Sequence, residues 1–326
     1  MLTAILFIAV CCVAFTNGAN ANFKGVASLY GSGTASLRVA LWWGTATTFA
    51  GSIAAAFLAD YLLKAFSGKG IVPDALVASP AFLSAVAIGA ALTSFFATRL
   101  GFPVSTTHAL LGALVGAGLA GSGAEVKFDA LLMSFVLPLA LSPVVAAILG
   151  PLVYGILRLF RLAPEERTPT LDFFHYLSTG AASFARGLND TPKIVALLLI
   201  VLRSKEPDGI DLLWGFAAVA LAIACGGILD ADRVAETLGK KVTDMDPGQG
   251  FSASLVTAGL VISASLFGLP LSTTHVSVGS LLGMGTVTGQ AKWKTVIPVL
   301  ASWVITLPCA ALFAGIAFLT LRHTFN

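Results

Sequence analysis

Two stretches of this chain carry residue types suited to holding an oxyanion. Ser105-Thr106-Thr107-His108 and Ser272-Thr273-Thr274-His275 each follow a Gly-x-Pro-x step, Gly101-Phe-Pro-Val and Gly268-Leu-Pro-Leu. Proline breaks a helix, because it lacks the amide hydrogen and its ring clashes with the preceding turn. A Ser or Thr just after the break is a favoured start for the next helix. The first N–H groups of that helix are unpaired and carry partial positive charge, so a terminus lined with hydroxyls suits an anion. Two such ends facing each other would satisfy the four oxygens of a tetrahedral oxyanion, with Ser105, Thr106, Thr107, Ser272, Thr273 and Thr274 as its ligands. His108 and His275 stand one turn into each helix. There they either bond a neighbouring carbonyl and support the hairpin, or handle protons.

A second pair of elements precedes these. Gly18-Ala-Asn20-Ala-Asn-Phe-Lys24 aligns with Gly187-Leu-Asn189-Asp190-Thr-Pro-Lys193. Asn20 and Asn189 offer side-chain oxygens to a small cation, and an unwound backbone beside them would add carbonyls. Asp190 is an ionisable group between apolar segments. Such a group is expensive in lipid and is expected to face the interior of the bundle on an ion or substrate path. With Asn20 and Asn189 it forms the candidate site for a coupling cation, sodium or proton. Lys24 and Lys193 either lie beside the substrate anion or extend their amines to the membrane interface.

These residues need a membrane scaffold. Of 326 residues 57% are hydrophobic and only 11% charged, against ~25% charged in a soluble domain. Apolar runs from Leu2–Phe15 to Val296–Leu319 are too long for barrel strands, which read as ~10-residue alternations. At ~20 residues per crossing the chain holds about eight to eleven apolar segments. The first run lacks the basic start of a secretory signal and reads as a membrane helix. A balance of 19 Lys and Arg against 16 Asp and Glu gives no basic field for nucleic acid. Cys11, Cys12, Cys225 and Cys309 have neither metal-ligand nor disulfide spacing and read as small side chains in the membrane core.

The two oxyanion stretches recur at one fixed separation: Gly101 falls on Gly268, and Gly112, Gly116 and Gly118 fall on Gly279, Gly283 and Gly285. The Asn elements recur at almost the same separation, Asn20 on Asn189. Two motifs in the same order in each half mean an internal duplication. Paired, Gly/Pro-broken segments in corresponding places of two halves are the mark of a secondary transporter with its site at the repeat interface. The expected fold is an all-α polytopic membrane protein, an inverted-repeat transporter with two re-entrant or broken-helix hairpins. Its halves are residues 1–160 and 168–326, joined by a charged linker, 161–167. An anion channel would need a polar pore along several helices, which the repeat does not favour. A membrane enzyme acting on phosphate esters would need a metal cluster or a nucleophile–base–acid set, and neither is present in the sequence. Expected partners are the anion and the lipid bilayer, in the plasma membrane, with a homodimer as an open arrangement; no cofactor is expected beyond the coupling cation.

The doubled Gly-x-Pro-x-Ser-Thr-Thr-His, each copy preceded by an Asn element, resembles the inorganic phosphate transporter family over nearly the whole chain. The resemblance implies cation–phosphate symport, with the Ser-Thr-Thr triplets holding phosphate and Asn20, Asn189 and Asp190 serving anion and cation. One departure stands out: Asn189-Asp190 is matched in the first half by Asn20-Ala21, with Lys24 where the family commonly has a neutral Asn. A lost carboxylate weakens a sodium site. It also removes one acceptor for the phosphate O–H, a group that fully ionised sulfate lacks. The altered first element, followed by Tyr30-Gly-Ser-Gly-Thr34, is similar to that of sulfate permeases related to the family, so sulfate stands as the alternative to phosphate.

Overall fold

The computed structural model describes residues 1–199 and 210–325. The long helices among them are α1 (Leu2–Ala21), α2 (Leu37–Leu58), α3 (Pro80–Arg99), α4 (Thr106–Ser122), α5 (Leu137–Leu159), α6 (Pro169–Val195), α7 (Ile210–Leu229), α8 (Pro247–Leu266), α9 (Thr273–Thr288) and α10 (Trp293–Phe325). Among the described residues six segments are long and apolar enough to cross a membrane, those of α1, α3, α5, α7, α8 and α10. Helices α2 and α6 are as long but more polar, and α4 and α9 are the shorter pieces expected after each break. The apolar run Ile194–Leu202 continues past α6, and its residues 200–202 lie outside the described residues.

The arrangement is two-fold. Helices α1 to α5 correspond in order to α6 to α10, and the main helix contacts come in matching pairs: α1 with α7 and α6 with α2; α4 with α10 and α9 with α5; α1 with α3 and α6 with α8. The first helix of each half thus packs on the second helix of the other, and each short helix packs on the last helix of the other half. Five helical elements in one half thus match five in the other, and the result is a multi-pass all-α membrane protein. Its polarity is turned outward-apolar: Phe57, Trp214 and Val304 are 73%, 70% and 72% exposed, whereas Arg186 and Lys193 are each 1% exposed.

The Gly-x-Pro-x-Ser step is a stop, a break and a start, twice. Just past the end of α3 stands Gly101, whose φ of 75° is in the left-handed region, with the Phe102 N–H donating to Ala97 O at 2.9 Å; just past the end of α8 stands Gly268, φ 69°, with Leu269 N–H donating to Ala264 O at 2.8 Å. A residue with no Cβ adopts that φ at least cost. After the proline the backbone is extended, and Ser105 and Ser272 accept from the N–H groups of His108 and His275 at 3.2 and 3.3 Å, capping α4 and α9. Gly112 and Gly116 let α4 lie directly on α10, and Gly279 and Gly283 do the same for α9 on α5. Close backbone approach through small residues is the main way that membrane helices associate.

Candidate functional site

The hairpins before α4 and α9 touch inside the bundle. Thr274 Oγ1 donates to Val104 O at 2.9 Å and Thr107 Oγ1 to Leu271 O at 3.3 Å, each contact crossing from one half to the other. Ser105, Thr106, Thr107, Ser272, Thr273 and Thr274 are all buried. The sequence therefore places both half-helix N-termini in one polar centre.

The Asn elements converge on the same centre with a repeated geometry. Asn20 Nδ2 donates to Thr98 Oγ1 at 3.0 Å and to Phe102 O at 2.9 Å, and its Oδ1 accepts from Val104 N–H at 2.9 Å and Lys24 Nζ at 3.3 Å. Asn189 Nδ2 donates to Ser265 Oγ at 2.9 Å, and its Oδ1 accepts a short bond from Lys193 Nζ. Asn20 thus ties α3 to Lys24, and Asn189 ties α8 to Lys193.

Both lysines turn inward. Lys24 Nζ donates to Val104 O at 2.7 Å and to Thr274 Oγ1 at 2.6 Å; Lys193 Nζ donates to Leu271 O at 2.7 Å and to Thr107 Oγ1 at 2.9 Å. Each ammonium joins the carbonyl of one hairpin to the Thr hydroxyl of the other. Neither lysine extends to the interface: Lys24 is 3% exposed and Lys193 1%. The amide, carbonyl and hydroxyl oxygens that a small cation would seek are the ones these ammoniums hold.

Asp190 sits where the halves differ. One carboxylate oxygen is 3.4 Å from Lys193 Nζ; the other accepts from Asn17 Nδ2 at 3.1 Å and is 3.8 Å from Arg186 Nε. Sequence reasoning did not single out Asn17 or Arg186, yet both complete the centre. Asn17 Nδ2 also donates to Thr106 Oγ1 at 2.7 Å, at the first residue of α4. Arg186 donates to Asn17 Oδ1 at 2.6 Å, to Asn17 O at 3.1 Å and to Thr48 Oγ1 at 3.3 Å. The available signal was the repeat itself, since Arg186 follows Asn17 at the same separation as Asn189 follows Asn20.

The centre therefore contains Lys24, Arg186 and Lys193 against Asp190 alone, all 3% exposed or less. At their formal charges, three basic groups and one carboxylate leave an excess of two positive charges, which is costly away from water unless paired. The buried Arg186 Nε has no hydrogen-bond partner. A doubly charged anion between the helix N-termini would balance the excess.

His108 and His275 meet edge to face with ring centroids 4.6 Å apart, and His275 stacks on Trp303 at 4.0 Å. His108 Nδ1 faces Trp303 O at 3.1 Å and His275 Nδ1 faces Leu139 O at 2.9 Å. A carbonyl only accepts, so both Nδ1 atoms carry hydrogen and donate. Each imidazole ties its short helix to the last helix of the other half.

Comparison with known proteins agrees with this architecture. A "probable low-affinity inorganic phosphate transporter" of Rhizobium meliloti is 28% identical over 312 residues, covering 93% of this chain and 92% of its own length. A protein of the same description from Bacillus subtilis is 27% identical over 335 residues, covering 100% and 99%. A solved structure titled "The sodium-dependent phosphate transporter" superposes with a TM-score of 0.86 at 21% identity, covering 99% of both chains, a likeness of fold. The phosphate transporter family matches residues 17–170 and again 162–314, one copy for each half built around Asn20 and Asn189. The chain belongs to the phosphate transporter family.

Proposed function

We propose that this chain is a secondary transporter that carries an inorganic tetrahedral oxyanion, phosphate, across the membrane by alternating access with a coupling cation. The observation that carries the reading is the buried centre between two half-helix N-termini, where Lys24, Arg186 and Lys193 outnumber Asp190. Ser105, Thr106, Thr107, Ser272, Thr273 and Thr274 supply helix N–H groups and hydroxyls to the anion, and Lys24, Lys193 and Arg186 supply charge. Asn20 and Asn189 position the lysines. Asp190 accepts the O–H of a protonated phosphate, which favours phosphate over fully ionised sulfate. The halves 1–160 and 168–326 are the units that rock against each other.

Sulfate is the second reading, favoured by Ala21, which leaves the first half without the counterpart of Asp190. Competitive uptake into proteoliposomes separates the two: labelled phosphate against excess sulfate, and the reverse. Saturable phosphate uptake that sulfate barely inhibits is expected. Uptake of neither anion, or flux that rises linearly with concentration as through a channel, overturns the transporter reading.

A further inference from the structure

His175, on α6, is fully buried and belongs to no part of the anion centre. Both of its ring nitrogens face hydroxyls: Nε2 lies 2.9 Å from Ser28 Oγ and Nδ1 lies 3.3 Å from Thr34 Oγ1. On the outer side Thr34 Oγ1 is 2.9 Å from Ser32 Oγ, at a turn where the half-exposed Arg167 donates to Gly33 O and Thr34 O. On the inner side Ser28 Oγ is 2.6 Å from Ser254 Oγ. Both serines line a polar cavity of about 10 Å³ together with Lys24, Thr257, Ser277 and Ser280, room for about one water. Ser277 Oγ donates to Lys24 O at 2.7 Å. The chain of polar atoms thus runs from the surface to the lysine that borders the anion centre.

Among the described residues the other half shows no such chain. At the separation that relates Asn189 to Asn20, the counterpart of His175 is Leu6, and at the separation that relates Gly268 to Gly101, the counterpart of Ser254 is Ala87. Both are fully buried in the apolar core. The scaffold therefore does not require a polar relay at this place. The elements packed on the ring present Ser28 and Thr34 from one side and Gly250 and Ser254 from α8. Arg167 at the outer turn and, on the ring's own helix, Asp172 pair with each other at 2.8 Å. No described carboxylate forms an ion pair with the imidazole.

We propose that Ser32, Thr34, His175, Ser28 and Ser254 form a proton path from the surface near Arg167 to the cavity beside Lys24, and that the ion coupled to transport is a proton using it. The inference rests on the transporter reading above. Hydroxyls both donate and accept, and imidazole accepts at one nitrogen while donating from the other. A proton entering through Ser32 Oγ replaces the one that Thr34 Oγ1 gives to the unprotonated ring nitrogen; the opposite nitrogen gives its proton to Ser28 Oγ, and Ser28 passes its own through Ser254 Oγ to a water in the cavity. The ring returns to its neutral form, and reorientation of ring and hydroxyls resets the chain. A proton route also suits a centre whose two Asn-element oxygen cages are already filled by Lys24 and Lys193.

The test uses the full chain in proteoliposomes with two readouts: phosphate–phosphate exchange at equal pH, and phosphate accumulation driven by an alkaline interior without sodium. The wild type is expected to do both and to ignore a sodium gradient imposed alone. His175→Gln is expected to exchange within about twofold of wild type while accumulation falls about tenfold or more, and Ser254→Ala is expected to do the same in weaker form. Wild-type accumulation driven by sodium and not by pH overturns the inference, as does wild-type accumulation in His175→Gln. Loss of exchange in both variants indicates a packing role and also overturns it. Absence of both phosphate and sulfate exchange in the wild type is the separate outcome that removes the transporter reading itself.

Discussion

Asn17 and Arg186 occupy equivalent places in the two halves and hydrogen-bond to each other at 2.6 Å. The pseudo-two-fold relation therefore brings two copies of one position face to face, and the two copies have diverged. One is a neutral amide that reaches Thr106 at the start of α4; the other is a guanidinium that reaches Asp190. A scaffold built twice from the same plan acquires a single charged centre in this way.

Arg186→Lys keeps the charge but loses the planar fork that reaches Asn17 Oδ1, Asn17 O and Thr48 together. Its KM for the anion is expected to rise about tenfold, since charge-assisted hydrogen bonds are commonly worth about 1.5–3 kcal/mol. Saturation curves of proteoliposome uptake check this. An unchanged KM in a folded Arg186→Lys protein would make Arg186 a clamp between α1, α2 and α6 with no part in binding.

Asp190→Asn keeps the shape and removes the only carboxylate in the centre. Gradient-driven accumulation is expected to be nearly abolished, while size-exclusion profiles in detergent stay monodisperse. Accumulation close to wild type would show that the carboxylate has no part in coupling.

The double change Ala21→Asp with Lys24→Asn gives the first half a carboxylate and vacates one oxygen cage. The preference for phosphate over sulfate is expected to rise by about tenfold, which corresponds to about 1.4 kcal/mol, and uptake is expected to gain a sodium response. A parental anion ratio with no response to sodium would show that the first element does not read the substrate.

Gly116→Ala tests the packing of α4 on α10. A Cβ there would stand 2.0 Å from Ala311 O, whereas a Cβ at Gly155 on α5 meets nothing within 4 Å. Thermal unfolding in detergent is expected to show Gly116→Ala destabilised by about 1–3 kcal/mol, the usual cost of overpacking. Gly155→Ala is expected to be neutral or slightly stabilising, as Ala is the better helix former. Equal unfolding temperatures for the two variants would contradict the close contact.

What the sequence determined by itself was whatever is written locally or repeated. Gly101, Pro103 and Ser105, like Gly268, Pro270 and Ser272, encode a helix stop, a break and a cap in immediate succession, because a left-handed glycine, a proline and a capping hydroxyl act on the backbone beside them. The constant separations, Gly101 from Gly268 and Asn20 from Asn189, exposed the duplication, and the shortage of charge dictated lipid as the solvent. What only the tertiary structure decided was how side chains far apart in the chain meet. A lysine stem serves equally for snorkelling or burial, so Lys24 became a ligand of Thr274 only when the two hairpins came into contact. Arg186 and His175 lie on α6, too polar to register as an apolar segment, and their partners Asn17, Ser28 and Thr34 belong to other elements, as does Ser254 behind Ser28. Local patterns carry no information about such pairings, because the energy that selects them comes from burying charge and hydroxyls in one shared centre after the helices have packed.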